Sequence, residues 1–408
     1  MKNILKSIVI FLLFFTLINN VYAFDIPDIG AKNIYFVNID DNDVIYEKDS
    51  NEKVKIASLT KIMTTLVSIE NIDDYNKQVL VTYNMLKDFD IDYSTAGFYA
   101  GEVVTFNDLL YGSLLPSGAD ATNILSYSVT STREEFIDLM NKKAKELGMT
   151  NTHFSNPIGM DEDNYSTAKD LYILMKYVYK NKKFMEIFKS EEYTTSNNEH
   201  ILKGPLKKLH SNDYSMNYVL GAKTGFTDEA GMCLASISKY KEKTYILINL
   251  GSQKETYFEH MKDAKKIYEY FFNNYDYKKI LSKGETILKI QTQYEEDYTV
   301  KSKEEVTRYI ENSKKKKDLK YEYVGRKIIT KDINKGDKIG TFYILDNDKI
   351  LYKKDIYSNI DVKMSTSYFV NHYYGLLISI FLLIMLIIVL LMKKKRKHRY
   401  KKDKNFTK

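Results

Sequence analysis

A serine and a lysine three residues apart, in Ser58-Leu59-Thr60-Lys61, place a hydroxyl and an amine on one helical face, about 5–6 Å apart at Cβ. Such a pair can pass a proton. A serine hydroxyl attacks a carbonyl only once a base has taken its hydrogen, and lysine is that base only where burial or a second cation lowers its pKa. The spacing alone carries no weight, since it recurs elsewhere in the chain, at Ser50, Ser236 and Ser313 among others. Context separates Ser58. It opens an apolar-periodic stretch, where free backbone N–H groups and the helix dipole favour a developing negative charge. Two distant segments add polar groups: Lys223-Thr224-Gly225, which begins a predicted strand, and Leu115-Pro116-Ser117-Gly118, a turn between helices.

The elements that must hold these groups follow from periodicity. Alternation from Ile34 to Ile39 and again at Val44-Ile45-Tyr46, across Asp40-Asp41-Asn42-Asp43, predicts a hairpin. Between 58 and 190 the period is helical, in Leu59, Ile62, Met63, Leu66 and Ile69, and in Phe136, Leu139, Met140 and Leu147. Thr167 and Asp170 fit a capping box ahead of a helix through Leu171, Met175 and Val178. Strands return over 218–250, and a helix from about 255 to 272 follows. This order implies an α+β fold, an antiparallel sheet against a helical cluster. From 276 to 365 short alternating strands with turns at Lys335-Gly336-Asp337 and Asn347-Asp348 predict a small β domain.

Read in order, Ala57-Ser58-Leu59-Thr60-Lys61-Ile62-Met63-Thr64, Ser117-Gly118-Ala119-Asp120-Ala121 and Lys223-Thr224-Gly225-Phe226-Thr227 resemble the low-molecular-mass penicillin-binding proteins, the serine D-alanyl-D-alanine carboxypeptidases of the peptidase S11 family. The resemblance extends through Asn156-Pro157-Ile158-Gly159-Met160, Tyr165 to Asp170, and Ala230-Gly231, covering roughly residues 30–275. It implies a penicillin-binding/beta-lactamase-like transpeptidase domain and an acyl-enzyme cycle on peptidoglycan stem peptides ending in D-Ala-D-Ala. By the same resemblance Ser58 is the nucleophile, Lys61 its base and Ser117 a proton relay. Lys223, Thr224 and Gly225 bind substrate, Lys223 also holding Lys61 partly neutral by repulsion, and the Ser58 and Phe226 backbone N–H groups form the oxyanion hole. Beta-lactams are the expected inhibitors, and no cofactor or metal is implied.

The family's second motif usually carries Asn where this chain has Ala119, which removes an amide expected to orient the scissile peptide; Asp120 and Asn123 are the nearby replacements. Ile158 and Asn164 stand where histidines are expected and read as structural substitutions, and Thr167 reads as a cap. Two other readings stay open: a serine beta-lactamase, against which the absence of a Glu-x-x-Leu-Asn segment counts, and a wall-binding or beta-lactam-sensing pseudoenzyme, which Ala119 motivates.

The two ends suggest where the body works. Residues 1–23 read as a signal peptide, with Lys2 and Lys6 before an apolar run and Val21-Tyr22-Ala23 suited to cleavage. Gly375 to Met392, polar only at Ser379, is long enough as a helix to span roughly 27 Å of hydrocarbon. The tail 393–408 sets ten Lys or Arg against Asp403 and is expected in the cytoplasm, with Tyr368, Tyr373 and Tyr374 at the far interface. The expected organisation is thus signal peptide 1–23, catalytic domain 24–275, β domain 276–365, transmembrane helix 375–392 and basic tail 393–408.

Composition narrows the rest. Of the net charge of +7, the tail and the N-terminal lysines hold more than all, so the body is slightly acidic and nucleic acid is not an expected partner. Cys233 stands alone, so no intramolecular disulfide forms, and its apolar setting makes it a small hydrophobe. The six histidines show no zinc spacing.

Overall fold

The computed structural model describes residues 28–87, 93–160, 163–253, 256–294, 297–329 and 332–405, and side chains to 396 in the last helix. The expected signal peptide lies outside them. The chain divides after Tyr275 into two compact units.

In the first unit, β1 (Asn33–Asn38) and β2 (Asp43–Lys48) form the expected hairpin. Its polar turn closes because Asn38 Oδ1 accepts from the Asp40 and Asp41 N–H groups while Asn42 takes a left-handed φ of 53°. Helices α1 (Thr60–Glu70), α2 (Phe106–Leu114), α3 (Ala119–Val129), α4 (Arg133–Leu147) and α5 (Ala168–Val178) follow. Then come β3 (Val219–Thr227), β4 (Gly231–Tyr240), β5 (Lys243–Ser252) and α6 (Glu259–Asn274). The five strands pair antiparallel in the order β2-β1-β5-β4-β3, so β3, which carries the third motif, is an edge.

Sequence reading expects helices against the sheet; the structure places them against both faces. Tyr35, Val37, Ile246, Ile248 and Leu250 alternate into the core shared with α1 to α5. Their neighbours Phe36 and Tyr245 point the other way and pack on Tyr268, Phe271 and Phe272 of α6. Central strands covered on both sides read as continuous apolar runs, which is why Thr244 to Leu250 shows no alternation.

Of the capping box expected at Thr167, only half forms. The Thr167 hydroxyl accepts from the Asp170 N–H, but the Asp170 carboxylate binds the Asn151 N–H and the Thr152 hydroxyl instead.

The second unit builds three small sheets from β6 (Tyr275–Leu281), β7 (Thr286–Thr292), β8 (Tyr298–Lys301), β9 (Val306–Glu311), β10 (Lys320–Gly325), β11 (Ile328–Ile329), β12 (Lys338–Asp346) and β13 (Lys349–Tyr357). Their orders are β6-β9, β8-β7-β11 and β10-β12-β13. They enclose one core around Ile290, Ile310, Ile329, Phe342 and Ile344. The final helix α7 (Thr366–Asn405) is long and apolar enough to cross a membrane, its apolar window unburied by the rest of the chain.

Candidate active site

Ser58 does not begin the α-helix. It sits in a one-turn 3-10 segment, Ala57–Leu59, and occupies the cap position neither of that segment, which is Ile56, nor of α1, which is Leu59. Ala57 holds φ at 46°, a left-handed value that costs a non-glycine residue energy and persists only where the surroundings enforce it. Two glycines explain how they do. A Cβ at Gly159 would collide with the Ala57 carbonyl oxygen, and one at Gly225 would stand 3.0 Å from the Ser58 nitrogen. A loop and the edge strand β3 therefore close on this turn from different directions.

One turn into α1, the Lys61 ammonium nitrogen lies 2.9 Å from Ser58 Oγ and 3.0 Å from the Ile158 carbonyl oxygen. Ile158 is thus more than a structural substitution: its carbonyl accepts from Lys61 while its side chain plays no polar part. The loop that presents it is latched by Asn156 Oδ1, which accepts from the Ile158 and Gly159 N–H groups, and by Thr64 Oγ1, which donates to the Pro157 carbonyl at 2.6 Å. Asn164 is buried and its Oδ1 accepts from the Ser155 N–H, the structural role expected of it.

Ser117 also occupies left-handed backbone, φ 63°, in the turn between α2 and α3. Lys223 reaches it from mid-strand, rather than from a strand start, donating to Ser117 Oγ at 2.7 Å and to the Thr224 carbonyl at 2.8 Å. Ala119 is fully buried at the start of α3, so no side-chain amide arises there. Neither nearby replacement lines the cleft that Ser58 and Ser117 share. The Asp120 carboxylate accepts from the Ala96, Gly97 and Phe98 N–H groups, and Asn123 donates to the Met85 carbonyl.

Burial sets the electrostatics. Lys61 and Lys223 are each 1% exposed. Loss of hydration lowers Lys61 to about 7, with the Asp120 carboxylate opposing the fall. Lys223 drops well below its ordinary range, first through burial and then through repulsion from Lys61. Burial rather than Lys223 is therefore the chief reason Lys61 can be neutral. A neutral amine beside a serine hydroxyl is a general base for acyl transfer.

Ser58, Lys61, Ser117, Thr224, Gly225 and Phe226 all line one cleft of about 310 Å³, and Lys223 reaches it through Ser117. Among the described residues its lining holds no carboxylate. His260, Tyr257 and Phe258 also line it, and periodicity gave no sign of them. Glu102, Glu199 and His200 offer a metal-ligand grouping, but Glu102 already accepts from His200 Nε2, Asn197 and the Tyr99 N–H. Cys233 is buried, its thiol pushed up by burial, and behaves as a small hydrophobe.

Residues 20–254 match the family model for D-alanyl-D-alanine carboxypeptidase, and residues 275–364 that for the C-terminal domain of penicillin-binding protein 5. The chain belongs to the peptidase S11 family. It is accordingly a serine-type D-alanyl-D-alanine carboxypeptidase, a hydrolase. It is similar to D-alanyl-D-alanine carboxypeptidase DacF of Bacillus subtilis, 28% identical over 82% of this chain and 86% of that one. It is also similar to the D-alanyl-D-alanine carboxypeptidase of Streptomyces sp. K15, 32% identical over 60% of this chain and 88% of that one. In fold it resembles carboxypeptidase DacD of Francisella tularensis, with TM-score 0.65 and 20% identity across 83% of this chain and 95% of that one. The two-part α+β architecture read from the sequence is that of these proteins.

Proposed function

We propose that the chain removes the terminal D-alanine from peptidoglycan stem pentapeptides through an acyl-enzyme on Ser58. The observation that carries this reading is the pairing of a buried, deprotonatable Lys61 with Ser58 Oγ at 2.9 Å in a cleft shared with Ser117. Lys61 takes the hydroxyl proton as Ser58 attacks the penultimate carbonyl. The Ser58 and Phe226 backbone N–H groups receive the oxyanion, an interaction typically worth about 3–4 kcal/mol per donor. Ser117 passes a proton to the leaving D-alanine, while Lys223 and Thr224 meet its carboxylate. Water then frees the shortened peptide.

Beta-lactams enter the same cycle, because their strained amide presents a carbonyl to Ser58 in place of the peptide's. In the beta-lactam ester the leaving nitrogen stays tethered in the cleft where water must come in, so this ester is expected to persist while the peptide ester, whose D-alanine has left, is hydrolysed; the family match favours the peptidase over the beta-lactamase reading. The two intact Lys–Ser pairs favour it over a pseudoenzyme, Ala119 notwithstanding.

The proposed topology is a single C-terminal crossing by α7, with the catalytic unit outside and the basic tail inside, as the cluster from Lys393 favours. Full-length protein in detergent should release D-alanine from a pentapeptide, and Ser58→Ala should not. Equal release from both would end the assignment of the nucleophile. Protease treatment of intact cells should remove the body and spare the tail.

A further inference from the structure

One buried polar side chain in the cleft wall is not among the groups named for this cycle. His260, second residue of α6, is 5% exposed and lines the cleft, yet neither ring nitrogen has a hydrogen-bond partner. A buried donor and acceptor both left unpaired are rare in a folded chain and mark a place where something else is meant to bind. Its position is fixed from behind, since Asn249 of the central strand β5 donates to the His260 carbonyl at 3.0 Å. No arginine lines the cleft among the described residues.

We propose that His260 is a specificity-determining residue whose imidazole joins Lys223 and Thr224 in taking the C-terminal carboxylate of the bound peptide, bringing one proton in with the substrate. The inference rests on the carboxypeptidase reading above.

The charged and titratable groups around the imidazole are Lys223 from β3, Lys61 from α1, Tyr93 and Tyr257 in the cleft lining, and Glu259 and Asp263 on its own helix. Glu259 is paired with Lys262, and Asp263 accepts from the Gly30 N–H through Oδ1, its buried Oδ2 having no partner. In the free protein burial holds His260 down to about 4, Glu259 opposing and Lys223 adding to the fall, so the ring is neutral. An ionised carboxylate at the ring favours the imidazolium. One proton is taken from bulk water, an ion pair forms, and no covalent bond changes. When D-alanine leaves, the carboxylate departs and the proton returns to solvent. Binding that takes up a proton weakens as pH rises, by up to about tenfold per unit where the free ring is neutral and the bound ring charged.

The test uses the full-length protein in detergent and two probes, an N-acetylated tripeptide ending in D-Ala-D-Ala and the same peptide with its C-terminus amidated. In the native protein KM for the acid should climb between about pH 5.5 and 7.5, while KM for the amide stays flat. His260→Leu should raise KM for the acid roughly tenfold at pH 6 with kcat within about threefold, and remove the slope. His260→Arg, which supplies a permanent cation, should restore a low KM without the slope. A boronic acid lacking a carboxylate should inhibit all three proteins equally, which reports an intact cleft. The inference is overturned if His260→Leu keeps the native KM and slope, if it raises KM for acid and amide alike, or if boronic acid inhibition is lost with it. A native protein that releases no D-alanine would be a different result, ending the carboxypeptidase reading itself and this inference with it.

Discussion

In the unit that ends at Tyr275, Lys61, Glu102, Asp108, Asp120, Asp170, Lys223 and Asp263 are all buried, whereas the unit that begins at Asp276 buries Ser302, Thr341 and Ser358 but, among the described residues, no charged side chain. Two of its ion pairs, Lys279–Glu305 and Lys338–Asp355, both at 2.7 Å, stay about half exposed, while Lys314–Asp346 is partly buried. Taking a charge out of water is costly unless it is paired, hydrogen-bonded or neutralised. The catalytic unit uses each route. Asp120 accepts from three backbone N–H groups and Asp108 from Ser196, Tyr193 and Thr105, while burial lowers the pKa of Lys61 and of Lys223. The chemistry proposed at Ser58 needs a base without its proton, and burial lowers Lys61 to about 7. The β unit, with no such demand, is held by strand pairing around a core of isoleucine, leucine, valine and aromatic side chains.

The largest effect that could break this contrast is Lys61→Arg. A guanidinium stays protonated wherever it is put, so D-alanine release should fall by about a thousandfold or more with the protein still folded. Retained activity would mean that Lys61 is no base. Next, because Lys61 sits at about 7 and must be neutral to act, kcat/KM should fall below that pH, by about tenfold per unit, and level off above it. With an amidated substrate the limb is read without the carboxylate contribution assigned to His260. A midpoint near the ordinary lysine value would remove the burial argument.

Smaller effects sharpen the other side. Ile344 is fully buried in the β unit, and Ile344→Ala should destabilise that unit by about 2–4 kcal/mol in denaturant unfolding while D-alanine release at 25 °C is unchanged. Least of all, Lys338→Ala should leave the thermal midpoint where it was, since an exposed pair contributes little.

Much of this was legible beforehand because it depends on short-range pattern. The hairpin at Asn33–Lys48 follows from alternation around an Asp/Asn turn, and α1 from Leu59, Ile62, Met63, Leu66 and Ile69 at one phase. The motifs named Ser58, Lys61, Ser117 and Lys223. Pattern failed where a residue acts through its backbone or its depth. Ile158 looked like a substituted histidine because side chains are what a sequence displays, yet its carbonyl holds Lys61. Asp120 looked available to replace the missing amide, but its carboxylate is occupied by a segment some twenty residues earlier in the chain. His260 looked like any polar residue near a helix start, because nothing local reports that both faces of the sheet are covered.

Amino-acid order alone thus determined which groups are available, where the chain turns helical or extended, and which end is apolar enough for a membrane, since each depends on neighbours within a few positions. Only the folded chain decided that Lys61 is dry, that Lys223 meets Ser117 from 106 residues away, and that His260 is left with nothing to bind. Hydration and proximity belong to the packed ensemble of side chains, and no stretch of sequence contains its own solvent.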